Sequence, residues 1–251
     1  MLHAMPELGP LLASGRDADI FAYGTGLVVR RSRLGHSMER EAKVMQYVAA
    51  RGFPAPRVED VRAGGTELIM ERIDGATMLD VLFRRPWTLR RNAARLATLH
   101  KRLHEIAAPG WLESFLGGNA CIVHLDLHPL NVILSPNGPV LLDWTNARAG
   151  AAGADVAVTW LVLAAAELGD TGVPAVAGRI VRAMFLRAFL RHFDLASVRA
   201  SLPAVAAWKC DDRNMRPGPS ASGWRRRCMS VATASPQLSS SRPRRSSAPK
   251  S

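Results

Sequence analysis

Three side chains that carry oxygen lie close together in the chain and have the chemistry of a metal-dependent phosphate site. Asn131 and Asp143 flank two short apolar runs, and Asp126 precedes Asn131 by five residues. Amide and carboxylate oxygens are hard ligands of the kind that Mg²⁺ prefers, and Mg²⁺ takes its other ligands from phosphates and water. A carboxylate beside such a site can orient or accept the proton of an attacking hydroxyl group. The residue types therefore indicate phosphoryl transfer.

A β-hairpin is predicted to bring these side chains together. Val132–Leu134 and Val140–Leu142 are apolar and short enough to be strands, and Ser135–Gly138 between them has strong turn chemistry. Asn131 and Asp143 are equally far from the centre of that turn, so they should face each other to within one residue of register. Opposed residues of a hairpin lie roughly 5 Å apart at Cα. The open end of the hairpin is therefore a predicted cation site.

The sequence motif in this segment resembles that of known kinases. His124-Leu-Asp126-Leu-x-x-x-Asn131 resembles the protein-kinase catalytic loop, and Asp143-Trp stands where those kinases have their metal-binding D-F-G. The fuller pattern, H-L-D-L-H-P-L-N and then L-D-W, resembles the aminoglycoside phosphotransferase family, which also includes choline, homoserine and other metabolite kinases. The resemblance spans about Ser14 to Arg216. It implies that Asp126 is the catalytic base, that Asn131 and Asp143 bind Mg²⁺, and that ATP is the phosphate donor.

The resemblance also implies an α+β, bilobal protein-kinase-like fold. A small α/β N-terminal lobe that binds the nucleotide is expected over residues 1–73. A mainly helical C-terminal lobe containing the catalytic hairpin is expected over residues 74–216, followed by a disordered basic tail over residues 217–251. Hydrophobic periodicity and turn residues predict strands and helices that agree with this division. The predicted elements are strands at Gly26–Arg31 and Glu67–Ile73, and helices at Met38–Arg51 (capped by Ser37), Leu89–Ala107, Asp155–Leu168 and Val173–Phe193.

The nucleotide-binding residues are inferred for the first lobe from the same resemblance. Glu41 lies on the inward face of its predicted helix and is expected to pair with a basic residue of the preceding strand, which would hold the nucleotide phosphates. Arg30 fits that position better than Arg31, although the family has Lys there. Glu71 and Ile73 align with the hinge that contacts adenine. Without the resemblance, Glu41 is also compatible with a surface ion pair, and Glu71 and Ile73 with an exposed strand end.

Several other polar residues are assigned supporting roles. Ser14–Asp19 occupies the position of the loop that covers the phosphates, although taken alone it is a polar turn. The resemblance makes His124 a structural residue of the catalytic loop, and Asp155 an acid that caps and braces the next helix. His100 and His104 share a helix face at i, i+4, but no H-E-x-x-H motif is present, and we interpret them as structural.

The strongly basic composition belongs mostly to the C-terminal tail. The 251-residue chain has a net charge of +12, of which Pro217–Ser251 contributes seven basic residues and no acid. This Ser/Pro/Arg/Ala-rich stretch has no apolar period and is expected to be disordered. Its abrupt change of composition suggests a frameshifted or otherwise altered C-terminus, which the intact mass of the native protein would test. A nucleic-acid-binding protein is the third hypothesis, and it depends wholly on this tail.

The sequence otherwise predicts a cytoplasmic enzyme that acts on a small hydroxylated molecule. No signal peptide or membrane span is expected, and the spacing of the three cysteines suggests neither disulfides nor a zinc site. Ala151–Arg216 has six acids against eight basic residues, which does not favour a polycationic substrate. No oligomeric state is indicated. The main alternative is a catalytically impaired nucleotide-binding relative, because Arg30 replaces the usual Lys.

Overall fold

A computed structural model describes residues 7–15, 17–165 and 175–211, together with residue 226 and residues 229–231. The described chain combines a sheet-rich N-terminal region with a mainly helical C-terminal part, which confirms the predicted α+β class. Of the tail predicted to be disordered, residues 226 and 229–231 are helical, and the rest of that prediction lies outside the described residues. Among the described helices, none combines the length and the apolar character needed to cross a membrane.

Five antiparallel strands form the N-terminal sheet, in the order β1-β2-β3-β5-β4. The central strand β3 buries Val28 and Val29 and then presents Arg30. The two edge strands were not predicted, because neither has a buried residue and neither alternates between apolar and polar residues. The strands are β1 (Leu8–Ser14), β2 (Ala18–Tyr23), β3 (Leu27–Ser32), β4 (Val58–Arg62) and β5 (Glu67–Glu71).

One helix, α1 (Glu39–Ala49), packs on this sheet and buries the face that carries Glu41. The predicted cap was wrong: Met38 is the N-cap residue and makes no side-chain capping bond, while Ser37 accepts only the N–H of Glu39, at 3.3 Å. The helix ends before the predicted Arg51. Gly52, with φ of 76°, reverses the chain there, as a left-handed residue commonly does after a helix.

The chain crosses to the second lobe over residues 72–75. Ala76 already pairs with Leu134 of the predicted hairpin. The next helix begins at a capping box in which the side chains of Thr77 and Asp80 each bond the other residue's backbone N–H. The elements of this part are β6 (Ala76–Thr77), α2 (Met78–Arg84) and α3 (Leu89–His104).

Helix α3 supplies the central wall of the second lobe. It buries Leu96, Leu99 and Leu103 in one stripe, as predicted. The helix ends three residues before the predicted Ala107, because the chain turns so that the Ile106 carbonyl can accept the N–H of Ile122 at 3.1 Å. The short strands that follow are β7 (Cys121–Val123), β8 (Val132–Ser135), β9 (Gly138–Leu141) and β10 (Arg148–Gly150), which form a β6-β8-β9 sheet and a β10-β7 pair.

Three helices complete the described part of the second lobe. They are α4 (Ala152–Ala165), α5 (Ala175–Leu190) and α6 (Leu195–Asp211), with α4 packed on α6 and α5 packed on α3. The predicted start at Asp155 and the predicted end at Phe193 differ from these bounds. The predicted end at Leu168 and the predicted start at Val173 lie outside the described residues. Helix α6 was not predicted, since Pro203 interrupts its pattern. One large core cluster includes residues of both lobes.

Candidate active site

The hairpin of β8 and β9 has the register that the sequence predicts. Val132 pairs with Leu141. One step towards the open end, the N–H of Leu142 donates to the Asn131 carbonyl at 2.8 Å. Asn131 and Asp143 are therefore one residue out of direct opposition, within the predicted tolerance. The two residues lie next to each other at the open end of one hairpin, each just beyond one of its two strands.

Asp126 lies beside Asn131 and is surrounded by cationic groups and donors. The Asn131 side chain donates from Nδ2 to the Asp126 carbonyl at 2.9 Å and to Oδ2 at 3.2 Å. His128 Nε2 is 3.5 Å from Oδ2, and Lys209 Nζ is 3.9 Å from Oδ1. Burial opposes ionisation, but the hydrogen bond and charge of His128, with the charges of Lys209 and His124, outweigh it. The pKa of Asp126 is therefore held well below its usual range, and the group is an anion at neutral pH.

Asp143 is held in a left-handed backbone conformation that turns its side chain into an open position. Its φ is 59°, a conformation that Asp adopts more readily than most residues. Thr145 Oγ1 donates to its Oδ1 at 2.9 Å, and Arg30 Nη2 lies 3.4 Å from the same oxygen. The Asp143 side chain nevertheless remains 44% exposed. Its carboxylate therefore keeps room for a ligand.

The expected ion pair of the first lobe is present. Arg30 of β3 donates from Nη1 to both carboxylate oxygens of Glu41 on α1. Burial raises the pKa of Glu41 above its ordinary value, and the charge of Arg30 only partly offsets this effect. Arg31, the alternative partner, points elsewhere and donates from Nε to Glu67 at 2.7 Å. The structure thus selects Arg30, as the sequence favoured.

Glu41 also reaches across to the second lobe. It accepts the backbone N–H of Trp144 at 3.2 Å, and its Oε2 lies 3.2 Å from the Thr145 hydroxyl oxygen. Arg30 joins the same contact by donating from Nη2 to Thr145 Oγ1 at 3.3 Å. The ion pair is therefore bonded directly to the segment that follows Asp143.

Asp155 is hydrogen-bonded to the loop that contains Asp126. Its Oδ1 accepts the N–H of Leu125 at 2.7 Å, and Leu125 is held at a φ of 61°. Its Oδ2 accepts from His104 Nε2 at 2.9 Å and lies 3.4 Å from His100 Nδ1. Burial alone would raise the pKa of Asp155, but the hydrogen bonds from His100 and His104 hold it well below the ordinary value. The residue before Asp126 is thus bonded to a buried anion.

His124 connects the catalytic loop to the strand that leads to Asp143. Its Nε2 donates to the Leu142 carbonyl at 3.1 Å, and its ring packs edge-on against Trp144, with 4.9 Å between ring centroids. Burial lowers the pKa of His124 below its ordinary value, so the neutral form is favoured. These contacts are those of a residue that supports the loop.

The remaining predicted residues lie away from this cluster. Glu71 ends β5, and its Oε2 accepts the N–H of Arg57 at 3.2 Å. Ile73 is half-buried in the crossing between the lobes. In the predicted phosphate-covering loop, Ser14 Oγ donates to Asp19 Oδ1 at 2.6 Å, which closes the β1–β2 turn. The described structure therefore brings Arg30 and Glu41 to Asp143, but it shows no contact that tests Glu71, Ile73 or this turn.

Four residues around the cluster escaped the sequence analysis. Arg40 donates to the carbonyls of Ala147 (2.7 Å) and Thr145, next to the Glu41 contacts. His128 and Thr145 each lie two residues after a predicted site aspartate, so their positions were a usable signal. Lys209 has no local signal, because it lies far along the chain on a helix that was not predicted.

The donor set at the hairpin mouth fits a magnesium ion. The nitrogen of the Asn131 amide is engaged with Asp126, which leaves its oxygen as the remaining polar atom of that side chain. The half-open Asp143 carboxylate adds a second hard oxygen. Two protein oxygens with room for phosphate oxygens and water are what Mg²⁺ requires.

Comparisons with known proteins agree with this geometry. The family model described as the phosphotransferase enzyme family (APH) matches residues 9–115 and 84–201. None of the curated proteins compared with the chain matches it.

Solved structures show which fold the chain has. It is similar to aminoglycoside phosphotransferase APH(4)-Ia (16% identity, 92% of this chain and 95% of that chain, TM-score 0.66). It is also similar to a choline/ethanolamine kinase family protein from Mesorhizobium loti (14% identity, 90% and 87%, TM-score 0.58). A third similar structure is amicoumacin kinase hAmiN in complex with AMP-PNP, Ca²⁺ and Ami (12% identity, 90% and 88%, TM-score 0.54). These likenesses establish the bilobal kinase-like fold.

Proposed function

Because the chain belongs to the phosphotransferase enzyme family, we propose that it transfers the γ-phosphate of ATP to a hydroxyl group of a small molecule. In this reaction the acceptor oxygen forms a bond to the γ-phosphorus while the bond between that phosphorus and the oxygen of ADP breaks. The hydroxyl proton passes to Asp126, and ADP leaves with the bridging oxygen. Atoms and charge balance without a further reactant.

The observation that carries the proposal is the continuous set of contacts from Asp126 to Arg30. Asp126 is bonded to Asn131, whose carbonyl is bonded to the strand that leads to Asp143. Asp143 lies within 3.4 Å of Arg30, which is paired with Glu41. An anionic base and an arginine are therefore joined through the cation-binding oxygens, as phosphoryl transfer between two bound substrates requires.

Each residue has a distinct role in this proposal. Asp126, ionised and beside the hairpin, orients the acceptor hydroxyl and accepts its proton. Asn131 and Asp143 hold Mg²⁺, which when bound would neutralise charge on the phosphates. Arg30 contacts the phosphates and is aimed by Glu41. Glu71 and Ile73 are proposed to line the adenine site at the crossing between the lobes.

The acceptor is proposed to be a metabolite or an antibiotic with a free hydroxyl group. Similar folds serve an aminoglycoside phosphotransferase, a choline/ethanolamine kinase family protein and an amicoumacin kinase, so the fold does not select one substrate. The complex of the last with AMP-PNP and Ca²⁺ supports a nucleotide and a divalent cation as partners of the fold.

A catalytically impaired nucleotide-binding protein remains the second candidate, and Arg30 is the observation that favours it. Arg30 is tied to Glu41, Thr145 and Asp143 at once, and a guanidinium reaches phosphates with a geometry different from that of an ammonium group. Such a protein would bind MgATP without transferring phosphate.

A nucleotide-consumption screen tests the two candidates against each other. The purified chain is incubated with MgATP and a panel of hydroxylated metabolites and antibiotics, and ADP release and phosphorylated products are measured. Binding of MgATP is measured in parallel by thermal shift. The proposed function predicts both a stabilising shift and product from at least one acceptor. A shift without any product across the panel supports the impaired relative. If neither a shift nor a product is observed, both candidates are refuted.

A further inference from the structure

A lysine of the helical lobe lies against the proposed catalytic base. Lys209 is in the last turn of α6, and its side chain is only 8% exposed. Its Nζ is 3.9 Å from Oδ1 of Asp126. Arg30 belongs to the N-terminal lobe and lies beside Asp143, whereas Lys209 approaches Asp126 from a helix of the other lobe. Its ammonium group thus faces the Asp126 oxygen that the Asn131 amide does not contact.

The two oxygens of Asp126 have different neighbours. Oδ2 accepts from Asn131 Nδ2 and lies 3.5 Å from His128 Nε2. Oδ1 faces Lys209. An acceptor hydroxyl must come within roughly 2.6–3.2 Å of a carboxylate oxygen to pass on its proton. Since Oδ2 is already contacted by two groups of the catalytic loop, the hydroxyl approaches Oδ1 and comes within reach of the lysine.

The positive charge of Lys209 should then determine which charged groups an acceptor can have near its hydroxyl group. An acceptor ammonium group would meet a like charge in a partly buried site, where water screens it poorly. A carboxylate or phosphate would instead gain a charge-assisted hydrogen bond. The six acids and eight basic residues of Ala151–Arg216 give no acidic excess that would offset this preference.

We propose that Lys209 is a specificity-determining residue that binds an acidic group of the acceptor. The acceptor is accordingly an alcohol that bears a carboxylate or a phosphate a few bonds from the hydroxyl that is phosphorylated. This inference rests on the proposed phosphotransferase function and names the substrate class of the same site.

A matched series of small acceptors tests the charge preference. Glycerate, glycerol 3-phosphate, glycerol and 3-amino-1,2-propanediol share a hydroxyl-bearing carbon chain and differ in the charge at one end. Their phosphorylation by MgATP is followed by ADP release and product analysis at fixed concentrations. We expect the two acidic alcohols to give kcat/KM values about 10- to 100-fold above that of glycerol, as one charged hydrogen bond provides. The amino alcohol is expected to be the poorest acceptor.

Substitutions at Lys209 separate specificity from a structural role. Lys209→Met should lower kcat/KM for the acidic alcohols by about 10- to 100-fold more than it lowers the value for glycerol. Lys209→Arg keeps the charge and should retain the preference. Lys209→Glu should move the preference towards the amino alcohol. Lys101→Met, at an exposed position of α3, is the matched control and should change no ratio.

The outcomes that overturn the proposal are distinct from failure of the proposed function. If MgATP binds but no acidic alcohol is phosphorylated better than glycerol, the inference about Lys209 is wrong. It is equally wrong if Lys209→Met lowers kcat/KM for all four acceptors by the same factor, since that is the result of a structural role. If the unsubstituted protein neither binds MgATP nor transfers phosphate, the proposed function itself is contradicted.

Discussion

Two buried acids hold the two halves of the candidate active site by the same kind of bond. Asp155 accepts the backbone N–H of the residue directly before Asp126, at 2.7 Å. Glu41 accepts the backbone N–H of the residue directly after Asp143, at 3.2 Å. A left-handed residue lies at each point, since both the residue before Asp126 and Asp143 itself have a positive φ. Both aspartates thus depend on a buried carboxylate for their backbone position.

The two acids differ in where they come from and in what neutralises them. Asp155 belongs to the same lobe as the loop it holds, and two histidines bond it, so its pKa is lowered. Glu41 belongs to the other lobe and is paired with Arg30, but burial outweighs that pairing and its pKa is raised. The Asp126 half is therefore assembled within one lobe. The Asp143 half is assembled only when the lobes meet.

Replacing the base itself should have the largest effect and should leave both supports intact. In Asp126→Asn the side chain keeps its size but can no longer accept the proton, so turnover of an accepted alcohol should fall by about two to four orders of magnitude. The protein should stay folded, with a lower unfolding midpoint because the charge of Lys209 loses the Asp126 carboxylate as a partner. ADP release and thermal unfolding measure the two quantities. Asp74→Asn, at a position 78% exposed, is the control, and near-normal turnover in Asp126→Asn would remove the assignment.

Removing the acid that works within one lobe should destabilise the protein strongly. Asp155→Ala leaves the Leu125 N–H and His104 Nε2 without their acceptor and removes the carboxylate 3.4 Å from the buried His100. We expect a loss of about 3–5 kcal/mol in the free energy of unfolding. Urea unfolding measures it, with Asp74→Ala expected to change stability by less than about 0.5 kcal/mol. A loss below about 1 kcal/mol in Asp155→Ala would mean that this brace contributes little.

Removing the acid that joins the lobes should cost less stability but should affect nucleotide binding. Glu41→Gln removes the carboxylate that pairs with Arg30 and leaves the guanidinium with its longer, 3.4 Å contact to Asp143. We expect a loss of about 2–3 kcal/mol, less than for a fully buried pair because Arg30 keeps 14% of its side chain exposed. The affinity for MgATP should fall as well, because the Trp144 and Thr145 contacts are weakened. Urea unfolding and calorimetry with MgATP measure these changes.

A paired substitution shows whether the unpaired charge causes that loss. Arg30→Met combined with Glu41→Met removes both charges and should recover part of the stability lost in Glu41→Gln, but none of the MgATP affinity. Equal stability in the two variants would contradict the explanation, and MgATP binding of normal strength in either would exclude Arg30 from the phosphate site.

The comparison also explains which parts of the site could be predicted from the sequence. Asp126, Asn131 and Asp143 lie in one hairpin, so their proximity depends only on strand alternation and one turn. The pairing of Arg30 with Glu41 follows from a strand and a helix that are adjacent in the chain. In both cases local patterns determine the contact.

The contacts that were missed involve elements whose own pattern is weak. Helix α6 buries Val198, Leu202 and Val205 at helical spacing, but Pro203 in its interior disguised it, and the position of Lys209 was lost with it. The edge strands β1 and β4 have no fully buried face, so they show no apolar alternation. The sharing of Asp155 by His100 and His104 depends on how α3 packs against α4, which spacing alone does not specify.

The smallest expected effect is the dependence of stability on pH, which tests the protonation of the buried histidines of the C-terminal lobe. Burial lowers the pKa values of His100 and His124, so both are favoured as neutral groups in the folded protein. As the pH falls below about 6.5 the unfolded chain takes up these protons first, and stability decreases. From pH 7 to pH 6 each histidine should cost up to about 0.7 kcal/mol, the limit reached when it stays neutral in the folded protein. Urea unfolding at both pH values should therefore show a loss of up to about 1.4 kcal/mol. His100→Gln should roughly halve it, whereas the exposed His192→Gln should leave it unchanged; an unaltered loss in His100→Gln would show that the buried histidine beside Asp155 is not held neutral.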